Sequence, residues 1–307
     1  MIPQFEMVEM SVRRQGVRLM DYIELMKPEL TGLSVLTTVF SFYLASGPTV
    51  DGIVMLWTAL GTLFVGGGAG ALNQHIERFH DAKMKRTERR PLPAGRLRAP
   101  EVFVFGWLVS TAGFVILWVF ANPLAAIIAE STLLLYLFVY TPLKRLTWLN
   151  TIVGAVPGAL PTLIGCAAAS NRITLGGWIF FGLLFAWQIP HFLSLAWMYR
   201  KDYARAGYKM LTVIDTDRAS RTSLHILVSC AILIPLSVGF TVAGLTGMTY
   251  FVGAILVSGG FAWYSFLLSR ASRQDNPVVV NATSRLVFFA SLAYLPALMI
   301  LMLADRI

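Results

Sequence analysis

The stretch that decides the fold runs from Gly52 to Asp81 and reads GIVMLWTALGTLFVGGGAGALNQHIERFHD. From Gly52 to Ile76 it contains no Asp, Glu, Lys or Arg. A helix needs about 20 apolar residues to cross a bilayer. This run is long enough, its small residues Gly66 to Ala71 allow close helix approach, and it passes without a Pro into Asn73, Glu77 and Asp81. It therefore reads as a membrane helix that ends in polar chemistry.

The rest of the chain repeats the first half of that pattern. The uncharged blocks are Thr31–Val50, Val102–Ala129, Leu146–Asn171, Ile173–Tyr199, Thr222–Ser269 and Leu286–Ala304. Over all 307 residues, 56% are hydrophobic and 13% charged, and the mean hydropathy is +0.67. A soluble domain carries about 25% charged residues. These numbers exclude soluble enzymes, secreted modules and nucleic-acid binders, despite a net charge of +9.

Turn signals divide the blocks into nine expected spans, at about 30–47, 53–76, 102–120, 124–141, 152–169, 175–199, 223–243, 249–269 and 285–303. Asn122-Pro123 splits one block, and Gly244-Leu245-Thr246-Gly247 splits another into a helical hairpin. The expectation is an all-α, polytopic bundle forming one domain over 1–307, with 1–29 as a cytoplasmic or interfacial segment. The first apolar run starts too late for a cleavable signal. Cys166 and Cys230 lie in apolar spans and read as packing residues.

Alternate loops hold 23 of the 25 Lys and Arg residues. The opposite set holds only Arg172 and Arg306. Cytoplasmic loops attract Lys and Arg, so the N-terminus is expected inside and, with nine spans, the C-terminus outside. Topology and contact with anionic lipid explain much of the charge. They do not explain eight basic residues mixed with carboxylates in the single loop 77–101.

Asn73, Glu77 and Asp81 are spaced four apart, which places them along one helix face. Two carboxylates and an amide oxygen suit a hard cation such as Mg²⁺, which usually shares its shell with substrate phosphates. Arg78, Lys83, Lys85, Arg86, Arg89 and Arg90 crowd the same segment. Cations beside such a site suit a diphosphate. The plainer alternative is a helix end steadied by i,i+4 ion pairs. Glu77 and Asp81, however, form a like-charge pair at that spacing. A second acid-plus-cation cluster, Tyr199 to Met210 with Lys201, Asp202 and Arg205, belongs to the same membrane face. Tyr140-Thr141-Pro142-Leu143-Lys144-Arg145 ends the fourth span there. Glu130, near the middle of that span, reads as a neutral, hydrogen-bonded acid.

Together these residues resemble the UbiA-type intramembrane prenyltransferases. The superfamily pattern is Asn followed by acids at four-residue spacing after span two, with a second Asp segment after span six. Asn73, Glu77 and Asp81 match the first and Asp202 the second. Within the superfamily the chain is most similar to the protoheme IX farnesyltransferase (heme O synthase) branch. The similarity rests on Glu at 77, on Asp81-x-x-Met84-x-Arg86-Thr87-x-x-Arg90-Pro91-Leu92, on Tyr140-Thr-x-Leu143-Lys144-Arg145, and on Trp187-Gln188-x-Pro190-His191-Phe192. Leu25-Met26-Lys27-Pro28 resembles the entry to span one. Two positions depart from the pattern. Ala206 stands where many members carry a second acid, a role that Asp215 or Asp217 would then fill. Glu29 stands where a basic residue is expected.

The resemblance implies transfer of a farnesyl group from farnesyl diphosphate to a vinyl group of heme B, giving heme O on the way to heme A. It implies Mg²⁺ held by Asn73, Glu77, Asp81 and Asp202. It implies diphosphate contacts from Lys27, Arg78, Arg86, Arg90, Lys144 and Lys201. Gln188, His191 and Tyr140 are the implied heme contacts. Gln188 and His191 share one helix face, and the residue-level alternative is a membrane His hydrogen-bonded to a neighbouring helix. The implied setting is a bacterial cell inner membrane, or the mitochondrial inner membrane in a eukaryote, with the active site toward the cytoplasm. Membrane lipid and heme A synthase or oxidase-assembly factors are the further partners. Three other readings remain: a prenyltransferase with a quinone- or chlorophyll-precursor acceptor, a transporter of an anionic solute, and a heme-binding membrane protein without catalysis.

Overall fold

The computed structural model describes residues 19–215, 218–274 and 276–307. Asp217 and the first 18 residues of the expected 1–29 segment lie outside them. The described chain is helical, with an isolated bridge between Thr246 and Arg306. A short α1 (Leu19–Leu25) precedes α2 (Pro28–Ala45) and the long α3 (Gly52–Asp81). Then come α4 (Ala99–Phe120) and α5 (Pro123–Leu134), which continues through a π-helical turn (Leu135–Tyr140) into α6 (Thr141–Leu146). The remaining long helices are α7 (Asn150–Ser170), α8 (Leu175–Met198), α11 (Ser220–Val242), α12 (Met248–Ala271) and α13 (Pro277–Ala304). Two short helices, α9 (Arg200–Arg205) and α10 (Leu211–Ile214), follow α8.

Each expected span coincides with a long helix. Eight of these are long and apolar enough to cross a membrane, counting α5 to α6 as one, so the chain is an integral, multi-pass membrane protein. The exception is α2. It has only 18 residues, and Glu29, Thr31, Ser34, Thr37, Thr38 and Ser41 dilute its apolar character. Helix starts follow from their caps. Asp51 accepts from the amides of Ile53 and Val54, Asn122 from that of Ala125, and Asn276 from those of Val278 and Val279. Pro123 and Pro277 follow two of these caps, at the position where a missing N–H costs nothing. Gly244 takes a left-handed φ of 72° and ends the α11 arm of the expected hairpin. On α13 the Asn276 cap starts the helix eight residues before the expected 285.

Helices α7 and α8 form the hub. In each, 61% of the most apolar window is buried within the protein, against 28–39% in the other six helices long and apolar enough to cross a membrane. On one side α2 packs on α7, and α3 pairs with α4. On the other, α11 and α13 pack on α8, with α12 behind them. Without water to squeeze out, membrane helices gain from close backbone approach at small residues. At Gly165 of α7 that approach is extreme. A methyl group there would stand 1.9 Å from the Thr38 carbonyl oxygen and 2.8 Å from the Phe42 nitrogen, both backbone atoms of α2. Gly165→Ala should therefore cost about 1–3 kcal/mol through overpacking, read as a lower thermal midpoint in detergent. Gly259→Ala, where a methyl would meet nothing within 4 Å, should leave the midpoint unchanged.

Candidate active site

A cavity of about 370 Å³ opens between α2, α3, α5 to α6, α7 and α8. Ten of the thirteen site residues expected from the sequence line it: Lys27, Asn73, Glu77, Asp81, Arg86, Arg90, Tyr140, Lys144, Gln188 and His191. Its polar head is built on the last two turns of α3. Four-residue spacing brings Asn73, Glu77 and Asp81 onto one face, and all three are buried, at 1%, 6% and 3% exposure.

Every carboxylate here has a cation. Lys144 Nζ donates to both Glu77 oxygens at 2.9 and 3.0 Å. Asn73 Nδ2 donates to Glu77 Oε2 at 3.0 Å and Tyr208 OH to Oε1 at 3.1 Å. Arg90 donates to Asp81 Oδ2 at 2.7 Å. Because Asn73 Nδ2 also donates to Thr141 Oγ1, its amide is fixed with Oδ1 outward, where Lys27 Nζ donates at 2.6 Å. Burial, together with Arg90 and Lys144, lowers the Lys27 amine to about 7. Tyr208 is pushed well up by burial and by the Glu77 charge, so it stays a phenol and a donor.

Two local distortions aim the cations. Lys27 links α1 to α2 in the left-handed region, at φ 50°, a geometry that costs a non-glycine residue about 1–2 kcal/mol. Pro28 follows it as the first helical residue. In span four, Pro142 has no N–H and its ring excludes a carbonyl one turn back. The helix widens there into the π turn, and the Thr141 N–H reaches Tyr136 O, five residues back. This stacks Tyr136 on Tyr140 at 5.7 Å and sets Lys144 Nζ 4.6 Å from the Tyr140 ring centroid.

The far wall belongs to α8. Gln188 Nε2 donates to Leu184 O and to Ala155 O of α7. Gly158 makes room for it, since a methyl there would meet Gln188 Oε1 at 1.9 Å. His191 lies seven residues before the end of α8, so ~10 Å below that end at 1.5 Å per residue. It is hydrogen-bonded to Ser291 of α13 at 2.9 Å, and it also lines the cavity. Apolar side chains such as Leu133, Ile164 and Leu184 line the cavity deeper still, Leu184 one turn before Gln188 on α8 and Ile164 six residues past Gly158 on α7.

Three expected residues are not brought in. Asp202 pairs with Arg205, one turn along the short α9, and does not line the cavity. Lys201 is exposed on the same helix. Arg78 donates to His75 O at 2.7 Å and lies over Phe79, because one step past Glu77 rotates it about 100° off the site face. Nor does Asp215 replace the acid missing at Ala206, since it caps α11 through the Thr222 amide and hydroxyl. Half-buried Glu130 lies outside the cavity lining and makes no hydrogen bond among the described residues. Conversely, Tyr136, Thr141 and Tyr208 were not singled out as site residues. Tyr136 sits one turn before Tyr140, and Tyr208 falls in the Asp202 segment, so their positions carried a signal.

The donor set fits a hard divalent cation only in part. All three candidate ligands are oxygens, and Asp81 Oδ1 has no hydrogen bond among the described residues. No group of three His, Cys, Asp or Glu residues close enough to hold a metal occurs among those residues. A cation here would have to draw the rest of its shell from water or a bound ligand.

Comparison with known proteins gives concordant matches. The model of the UbiA prenyltransferase family matches residues 34–302. A protoheme IX farnesyltransferase of Solibacter usitatus is 43% identical, over 93% of this chain and 98% of that protein. One from Salinibacter ruber is also 43% identical, over 94% and 99%. Among solved structures, one of digeranylgeranylglyceryl phosphate synthase superposes with a TM-score of 0.76 at 16% identity, covering 93% of this chain and 99% of that one. A UbiA homolog from Archaeoglobus fulgidus bound to DMAPP and Mg²⁺ gives 0.64 at 15% identity, covering 90% and 99%.

Removing one partner of a buried ion pair costs about 3–5 kcal/mol, because the other charge is stranded. Lys144→Ala should lower the thermal midpoint accordingly. Adding Glu77→Gln to that variant should recover most of the loss. A double variant no more stable than the single one would show that the pair is not what steadies this end of α3.

Proposed function

The chain belongs to the UbiA prenyltransferase family, and from that premise we propose that it transfers a farnesyl group from farnesyl diphosphate to a vinyl group of heme B. One observation carries this reading. A single cavity joins a buried patch of paired carboxylates and cations to a wall carrying His191 and Gln188, with apolar side chains lining its deeper part. The patch suits a diphosphate, the apolar depth an isoprenoid chain, and the His191 wall between them an acceptor whose vinyl group can reach C1 beside the diphosphate.

Lys27, Arg86, Arg90 and Lys144 receive the diphosphate. The C1–O bond breaks and its electron pair leaves on the diphosphate, where these cations stabilise the growing negative charge. The vinyl π electrons then form the new C–C bond to the allylic cation. Positive charge moves to the carbon next to the porphyrin ring, water adds there, and a proton is lost to give the hydroxyethylfarnesyl side chain. The apolar walls keep water from the allylic cation until the vinyl group reacts. They also favour the isoprenoid by ~0.8 kcal/mol per buried methylene.

Asn73, Glu77 and Asp81 would hold Mg²⁺, which supplies further neutralisation of the diphosphate. The neighbour solved with DMAPP and Mg²⁺ supports a divalent cation in this fold. Tyr140 and Gln188 border the acceptor, and His191 faces its iron. Helix α2 is the ninth span. The Lys- and Arg-rich loops and the cavity mouth then face the cytoplasm, and the C-terminus lies outside. The membrane is a bacterial cell inner membrane, or the mitochondrial inner membrane in a eukaryote.

Purified protein given farnesyl diphosphate, heme B and Mg²⁺ should form a product with the mass of heme B plus a farnesyl group and water. A prenylated phenolic acid without heme O would overturn the acceptor while sparing the reaction class. Asp81→Asn should lower turnover by about 10²-fold or more, the scale of losing one group that supports transition-state charge. By calorimetry, Mg²⁺ should bind measurably only when diphosphate is present. Tight binding of Mg²⁺ alone would contradict a shell shared with substrate.

A further inference from the structure

Ser291 lies on α13, 100 residues from His191, and is fully buried. Its hydroxyl donates to the carbonyl of Phe288, one turn earlier, at 2.5 Å. A carbonyl can only accept, and a serine hydroxyl has one hydrogen. Toward His191 Nδ1, 2.9 Å away, Ser291 Oγ is therefore an acceptor. The imidazole must carry its proton on Nδ1, which leaves the lone pair on Nε2. Nε2 has no hydrogen-bond partner among the described residues, and His191 lines the cavity.

The ring is also held against rotation. Trp187 stacks on it at 5.0 Å and 18°, and Phe288 at 5.1 Å and 29°. The backbone carbonyl of Ser291 accepts the Trp187 indole N–H at 2.8 Å. One residue of α13 thus fixes both the imidazole and the indole beside it. A histidine that donates through one ring nitrogen while the other stays free is the usual arrangement at a metal centre. There the outer hydrogen bond fixes the tautomer and raises ligand basicity.

We propose that Ser291 is a positioning residue that holds His191 as its Nδ1–H tautomer, so that Nε2 meets the iron of the heme acceptor. The inference rests on heme B as the acceptor, as argued above. It adds a residue outside the cavity lining, on a helix that contributes none of the charged groups. Binding of the iron at Nε2 fixes the porphyrin over the far wall and leaves a ring edge, where the vinyl groups are, free to turn toward the allylic carbon.

The test uses the full-length protein in detergent as wild type, His191→Ala, Ser291→Ala and Ser291→Thr. Each is titrated with heme B and followed by the Soret band, with KM for farnesyl diphosphate and the thermal midpoint measured alongside. Wild type should show a nitrogen-ligated band that His191→Ala loses and added imidazole restores. Ser291→Ala should bind heme about 10-fold or more weakly, the usual cost of losing such an outer hydrogen bond, with KM for farnesyl diphosphate unchanged. Ser291→Thr keeps the hydroxyl and should keep the affinity. Wild-type affinity and spectrum in Ser291→Ala would overturn the role of Ser291 and leave heme as acceptor. An unchanged band in His191→Ala would overturn ligation by His191, and Ser291's role with it, while heme O formation stands. Equal losses in both Ser291 variants, with a raised farnesyl diphosphate KM and a lower midpoint, would make Ser291 a packing residue and overturn the proposal. Failure of the wild type to bind heme or to form heme O would overturn the acceptor itself.

Discussion

A buried carboxylate at the end of a membrane helix cannot stand alone, and the contact of Glu77 with Lys144 answers that constraint. Stranding either charge costs several kcal/mol. Lys144 must therefore reach α3 from span four, and the widened π turn ahead of Pro142 supplies the geometry. Asn73 and Tyr208 then donate to Glu77, and Thr141 accepts from Asn73. The same demand sets the path of the loop after α3. Thr87 Oγ1 donates to Asp81 O, and Arg90 returns to Asp81 Oδ2, so the polypeptide folds back over the head of the cavity.

This arrangement differs from a metal site built wholly by protein. Two of the candidate ligands already carry ammonium partners, and the third carries a guanidinium. The protein supplies much of the positive charge itself, from Lys144, Arg90 and the Lys27 amine. Chemistry at this end is electrostatic. The α8 wall, with its stacked aromatics and Ser291, holds the orientation of His191 instead.

Much of the fold was legible because hydropathy in a membrane protein is nearly a direct reading of helix position. The spacing of Asn73, Glu77 and Asp81 was legible for an equally direct reason, since helical geometry alone decides which residues share a face. Asp202 was not. It lies past the end of α8 on a helix of six residues, where the local pairing with Arg205 decides its direction and no periodicity constrains it. Arg78 failed for the opposite reason: its helix is regular, and regularity turns it away. The span status of α2 was blurred because its hydroxyls satisfy themselves or a neighbouring helix, as Thr38 does on Pro161 O. Ser291 was invisible, because nothing in a lone serine among apolar residues announces a histidine 100 positions away.

The head of the cavity sets three cationic side chains, Arg86, Arg90 and Lys144, and the Lys27 amine against two carboxylates. An arriving diphosphate with one divalent ion adds roughly one net negative charge, small beside the charge already there. Moving one elementary charge through the full membrane field involves about 2.3 kcal/mol per 100 mV. Here the net charge that moves is small, and it moves at the membrane border rather than across it. Loading and unloading the site therefore do little electrical work.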